Sequence, residues 1–173
     1  MMRFLPLVLL CGSFLLASCG DDDSNDNFTR DELVGTWDVS VFTTDIMIDA
    51  GSGVEQFGAS KTDGDLDVTF DEDGTYSSSG TYTLTITEAD STYTETQTGI
   101  GGGVWSVDGQ TVRLFDASGS SDLLEFNVTD YTVSNFQADS RVDLNGAIDT
   151  TIVEPFLGIE FDVDGTVLYR LVR

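Results

Sequence analysis

The chain has no histidine, one lysine and two cysteines in 173 residues, and these scarcities exclude a good deal of chemistry. Without histidine there is no Ser-His-Asp triad, and most zinc sites lose their usual nitrogen ligand. The one lysine, Lys61, lies in a glycine- and serine-rich stretch and is expected to be solvated rather than to form a Schiff base. Cys11 falls inside the leader and Cys19 directly after it, so a chain starting at Cys19 has no second thiol for an intramolecular disulfide. Seven basic residues face 31 acidic ones, a net charge of −24. Such a field repels nucleic acid and anionic lipid, so neither is an expected partner. The acids are scattered, which reads as a solvated, self-repelling surface whose cost salt screens, rather than as a cation site. Proline occurs only twice. No apolar run reaches the ~20 residues that cross a hydrocarbon core; Phe4 to Leu16 has thirteen. Carboxylate pairs of the glycosidase kind are in the inventory, but with 31 acids any pair arises by chance. The chain is read as a non-enzyme, with no catalytic residue, metal site or cofactor expected.

What is present begins at the N-terminus. Met1-Met2-Arg3 is a minimal positive region, and the apolar stretch after it has the length of a secretory h-region ending at small residues. Leu16-Ala17-Ser18-Cys19 resembles the lipobox of bacterial lipoproteins. The resemblance implies that residues 1–18 are a signal peptide and that Cys19 becomes the lipidated first residue, carrying acyl chains of the palmitate type. Each buried methylene contributes about 0.8 kcal/mol, so two or three chains hold firmly where one is marginal. Residues 19–27, with Asp21, Asp22, Asp23 and Asp26, have no large apolar side chain and read as an acidic disordered tether. Acids so close behind the cysteine are similar to the export signal of Bacteroidota lipoproteins. The localisation this implies is the cell envelope, lipid-anchored at the outer membrane and exposed at the surface.

Residues 28–173 read as one domain. Thr29-Arg30-Asp31-Glu32 matches a capping box, with Thr29 as N-cap, Glu32 reaching back and Gly35 as the stop of a short helix. The period then becomes two: Trp37, Val39 and Val41 alternate with Asp38 and Ser40, and Leu66, Val68 and Phe70 alternate with polar residues. Tyr76, Tyr82, Leu84 and Ile86 keep one parity across Ser77-Ser78-Ser79-Gly80, which predicts a bend in one long strand. Further strands are expected at Thr92–Thr98, Val104–Val107, Thr111–Phe115, Leu123–Val128, Tyr131–Phe136, Phe156–Phe161 and Val167–Val172, while Val142–Ile152 fits no element clearly. Asp71-Glu72-Asp73-Gly74, Asp108-Gly109 and Asp162-Val163-Asp164-Gly165 all read as turns preceding a strand. An EF-hand register fails, because a loop starting at Asp63 puts Val68 at its sixth position and Gly74 at its twelfth.

An antiparallel meander with one helix at its entrance implies an all-β, up-and-down barrel of about 8–10 strands, since closure removes exposed edges. Gly35-Thr36-Trp37 on the first strand after a short helix resembles the Gly-x-Trp signature of lipocalins. With Phe70-Asp71-Glu72-Asp73-Gly74-Thr75-Tyr76 and Gly103-Val104-Trp105-Ser106-Val107, the stretch from Leu33 to Arg173 is similar to lipocalin-like lipoproteins of Bacteroidota. The resemblance implies that Trp37 closes one barrel end beneath a basic residue of the last strand, Arg170, with Arg173 as the other candidate. It also implies a lumen that takes a small apolar or amphipathic molecule, with Tyr82, Leu84, Ile86, Leu124, Phe126 and Val128 as its walls. The chain departs from secreted lipocalins in having no disulfide and no clear helix before its last strand.

Two functions follow from different classes. One is a membrane-anchored barrel that binds a lipophilic ligand. The other is a surface accessory or interaction protein with a filled barrel, working through exposed loops such as Asp49–Gly64 and Ala138–Thr151. Protein partners are not named by the sequence.

Overall fold

The computed structural model describes residues 28–49, 51, 53–116, 130–153 and 160–173. Cys19, the tether and the wall residues Leu124, Phe126 and Val128 lie outside the described residues, as do the strand expected at Leu123–Val128 and most of that at Phe156–Phe161.

One helical turn, α1 (Arg30–Leu33), leads into β1 (Gly35–Asp49), β2 (Val54–Gly64), β3 (Asp67–Phe70), β4 (Thr75–Ser79), β5 (Thr81–Glu88), β6 (Ser91–Thr98), β7 (Gly102–Asp108), β8 (Thr111–Asp116), β9 (Asp130–Gln137), β10 (Arg141–Val153) and β11 (Glu160–Val172). Every pairing is antiparallel. The ring β1-β3-β4-β7-β8-β9-β10-β11 closes through β11 and β1, giving an eight-stranded barrel. Strands β2, β5 and β6 continue β3, β4 and β7 past a shared bend, flanking the far half of β1.

The bend has a local cause. Gly80 takes φ +104, and a Cβ there would collide with the Asp65 carbonyl, so the expected break between Tyr76 and Tyr82 falls at a residue only glycine can supply. The Asp65 amide still bonds the Thr81 carbonyl (3.1 Å), and the Gly99 amide bonds that of Gly80 (3.1 Å), so neighbouring strands turn together.

The remaining pattern is partly as expected and partly corrected. Leu66, Val68, Phe70, Tyr76, Tyr82, Leu84 and Ile86 all enter one hydrophobic core. On β1 a bulge between Val39 and Val41 shifts the parity, so Phe42 rather than Val41 joins Trp37 and Val39 inside. Thr29 is the N-cap of α1, but its side chain makes no capping bond; only the Glu32 amide returns to the Thr29 carbonyl (3.2 Å). Asp71–Gly74 is a hairpin turn, with Asp73 Oδ1 accepting from the amide (2.9 Å) and hydroxyl (2.7 Å) of Thr75. Asp108-Gly109 is likewise a turn, with Gly109 at φ +60. Asp162-Val163-Asp164-Gly165, expected as a turn, is instead continuous strand within β11. Gly165 pairs with Ile46, and a Cβ there would strike the Asp45 carbonyl; the glycine serves a close strand approach. The supposed loops Asp49–Gly64 and Ala138–Thr151 are largely the strands β2 and β10.

Candidate functional site

The end of the barrel that receives α1 is closed by two arginine–tryptophan stacks. Trp37 is fully buried, and its indole N–H donates to the Leu33 carbonyl at 2.7 Å. The guanidinium of Arg173 lies 3.9 Å from the Trp37 ring centre, donates to the Val34 carbonyl and sits 3.8 Å from Asp139. Gly35 makes this possible, since a Cβ there would stand 2.8 Å from Arg173 Nη2, and its φ is +115. The covering cation is therefore Arg173, and Arg170 is elsewhere. Strand alternation explains the difference: Tyr169 and Leu171 point inward, so Arg170 faces out and Arg173 returns across the end.

The second stack had no counterpart in the sequence reading. Arg30, in α1, lies 4.6 Å over the Trp105 ring and donates to the Glu72 carbonyl at 2.7 Å. Trp105 meets Phe70 edge-on at 5.2 Å and donates its indole N–H to the Asp71 carbonyl at 3.2 Å. Phe28 and Phe136 add an edge contact at 5.3 Å.

Arg170 belongs to an ionic clamp on the outer wall. Its Nε and Nη2 bond both oxygens of Asp143 (3.0 and 3.1 Å), Arg141 bonds the same two oxygens (3.1 and 2.8 Å), and Asn135 adds a bond at 3.0 Å. Asp143 is only 2% exposed. Burial alone would raise its pKa, but the hydrogen bonds from Arg141, Arg170 and Asn135 prevail and hold the carboxyl well below the usual carboxylate range.

Inside the barrel, the three described wall candidates, Tyr82, Leu84 and Ile86, are buried in the common core with Ile46, Ile148 and Val167. Four of the chain's five tyrosines, Tyr76, Tyr82, Tyr131 and Tyr169, also turn inward, and their phenols lie close enough to influence one another. Three of them sit opposite glycines in the ladder, Tyr76 across from Gly103, Tyr82 from Gly64 and Tyr131 from Gly146, which leaves space for the rings. Desolvation pushes Tyr76 and Tyr82 up to about 12, and burial drives Tyr131 and Tyr169 higher still. Tyr131 and Tyr169 share a hydrogen bond, and Tyr82 donates to the Gly99 carbonyl at 3.3 Å.

Two open hollows lie on the outer wall. One, of about 380 Å³, sits over Gly58 between Thr43, Asp45, Gln56 and Thr85, with Thr44 and Ala59 also in its lining. The other, of about 450 Å³, sits over Gly146 between Thr132, Asn145 and Thr166. Both are shallow, polar-rimmed surfaces, unlike the enclosed apolar pockets typical of small-molecule sites. Among the described residues, no group of three or more acidic side chains is placed to hold a metal ion.

Fold and site together define an antiparallel eight-stranded β-barrel sealed at one end. No protein-family model, curated protein or solved structure matches the chain.

Proposed function

We propose that this chain is a lipid-anchored bacterial envelope protein, attached through Cys19, whose barrel is a binding module for a small amphipathic molecule. The observation that carries the binding part is the one-ended closure. Both Arg–Trp stacks, the α1 turn and the C-terminal arginine are gathered at the same end. The strands extend well past the bend toward the other end, where Ile46, Leu84, Ile86, Ile148 and Val167 make the barrel interior apolar. A barrel of this size holds side chains or one small ligand. The anchor is supported by the Leu16-Ala17-Ser18-Cys19 motif and the acidic residues that follow it.

One observation favours the filled-barrel reading: Tyr82, Leu84 and Ile86 are only 1–2% exposed within a continuous core. Native mass spectrometry of protein taken from its envelope separates the two. Ligand binding gives a mass excess beyond the acyl groups that exchanges with added amphiphile; a filled barrel gives neither excess nor exchange. In the same spectra, Cys19→Ser should remove the acyl mass.

A further inference from the structure

Met47 is an apolar side chain set among carboxylates on the outer wall. It is 52% exposed on β1, and Val54, diagonal to it on β2, is 63% exposed. The ladder places their neighbours. Asp45 and Asp49 flank Met47 on the same face of β1, and Asp164 of β11 pairs with it directly. Asp162 stands opposite Asp49, and Asp149 of β10 stands opposite Asp164. The residues interleaved with these, Ile46, Ile148 and Val163, point into the core, so all five aspartates face outward. Gly165 keeps the grid tight, since a Cβ there would strike the Asp45 carbonyl.

Two features set this patch apart from the acid elsewhere on the chain. Among the described residues none of the five aspartates is in an ion pair. Along the three strands that carry them the nearest cation is Arg170, six residues from Asp164 on β11 and about 20 Å away. Like charges set directly opposite one another cost stability, so a cation laid across the grid relieves it. The second feature is the hollow over Gly58, which opens beside Met47 between Asp45, Gln56 and Thr87. Gln56 donates to Asp45 at 3.0 Å and holds that rim in place.

We propose that this face docks a basic peptide segment of a partner protein, one whose lysine or arginine side chains bracket an apolar one. The apolar side chain packs on Val54 and on the Met47 thioether, which adapts to irregular contacts. The flanking cations lie over Asp45, Asp49, Asp149, Asp162 and Asp164. Charge complementarity selects this occupant: a second copy would bring five more aspartates to the contact, and an anionic amphiphile would be repelled. The patch lies at the opposite end of β1 from α1, away from the N-terminal segment. The contact is small and exposed, hence weak and salt-dependent. It does not rest on ligand binding in the lumen.

The chain has three methionines, so methyl-labelled methionine gives few NMR signals, and Met47→Leu identifies the one at the patch. The probe is a short blocked peptide in which lysines flank a single leucine, titrated into the full chain. It is expected to shift the Met47 signal saturably. Versions with serine for leucine, or glutamine for lysine, should bind at least about tenfold more weakly. Met47→Ser should weaken the parent peptide about tenfold. Asp149→Asn with Asp164→Asn should do the same while raising the melting temperature, a combination that unfolding cannot produce. Asp38→Asn with Asp67→Asn removes equal charge from another directly opposed pair, near α1, and should leave binding in place. Equal weakening by both double substitutions, or equal binding of the serine version, would overturn docking in favour of a diffuse polyanion field. A Met47 signal that moves with protein concentration alone would assign the face to a second copy instead. Absence of binding by every peptide would overturn it as well.

Discussion

Arg173 covers the ring of Trp37 at 3.9 Å while reaching back to the Val34 carbonyl, so the last residue of the chain locks the first strand. A desolvated cation–π contact contributes up to about 2 kcal/mol, and the carbonyl bond adds roughly 1 kcal/mol. Arg173→Ala should therefore lower unfolding free energy by about 2–3 kcal/mol and red-shift tryptophan emission. Arg170→Ala should leave that emission in place. Denaturant titration followed by fluorescence checks both. Gly35→Ala should behave like Arg173→Ala, because the new Cβ displaces the guanidinium and the φ of +115 strains any other residue.

Asp143 predicts an acid limit. Its folded pKa lies below the ordinary carboxylate value, so the unfolded chain binds more protons in the interval between them. The clamp's stability is therefore fully present above the unfolded pKa and is lost as pH falls from there through the folded value. Wild type should lose stability steeply below about pH 4. Asp143→Asn should be less stable at pH 7, by on the order of 3 kcal/mol, and should have a flatter acid limb. Chemical denaturation at stepped pH values measures both slopes.

The inward tyrosines predict the opposite limb. Their folded pKa values are raised, to about 12 for Tyr76 and Tyr82, so their contribution is complete below the unfolded value and is lost as pH rises through the folded ones. At pH 10.5 the four phenols should remain protonated in folded protein, and their ionisation at 295 nm should accompany loss of near-ultraviolet circular dichroism.

Salt should stabilise this protein. On the outer wall Asp49 stands directly opposite Asp162, and Asp149 opposite Asp164, with no histidine and few cations to offset the excess acid. Each like-charge pair costs up to about 1 kcal/mol at low ionic strength. Raising sodium chloride from 0.05 to 1 M should raise the melting temperature, and Asp49→Asn with Asp149→Asn should reduce that increment.

Much of the barrel was legible because strand period and turn chemistry are local. Leu66 to Ile86 reads inward and outward correctly, and the bend is announced by Gly80. What the sequence hid depends on partners far along the chain. The β1 bulge that replaces Val41 with Phe42 is set by the register with β11. Gly165 looks like a turn residue until the nearness of β1 explains it. Arg173 could have been preferred over Arg170 by extending the parity of Tyr169 and Leu171 by one step. The Arg30–Trp105 stack and the Arg170–Asp143 contact of the clamp join residues whose proximity only the closed ladder creates.

The most direct measurement is a crystal structure of the full chain grown with octanoate. The account predicts one octanoate per barrel, enclosed by the strands beyond the bend. A barrel whose interior holds only its own side chains would contradict it.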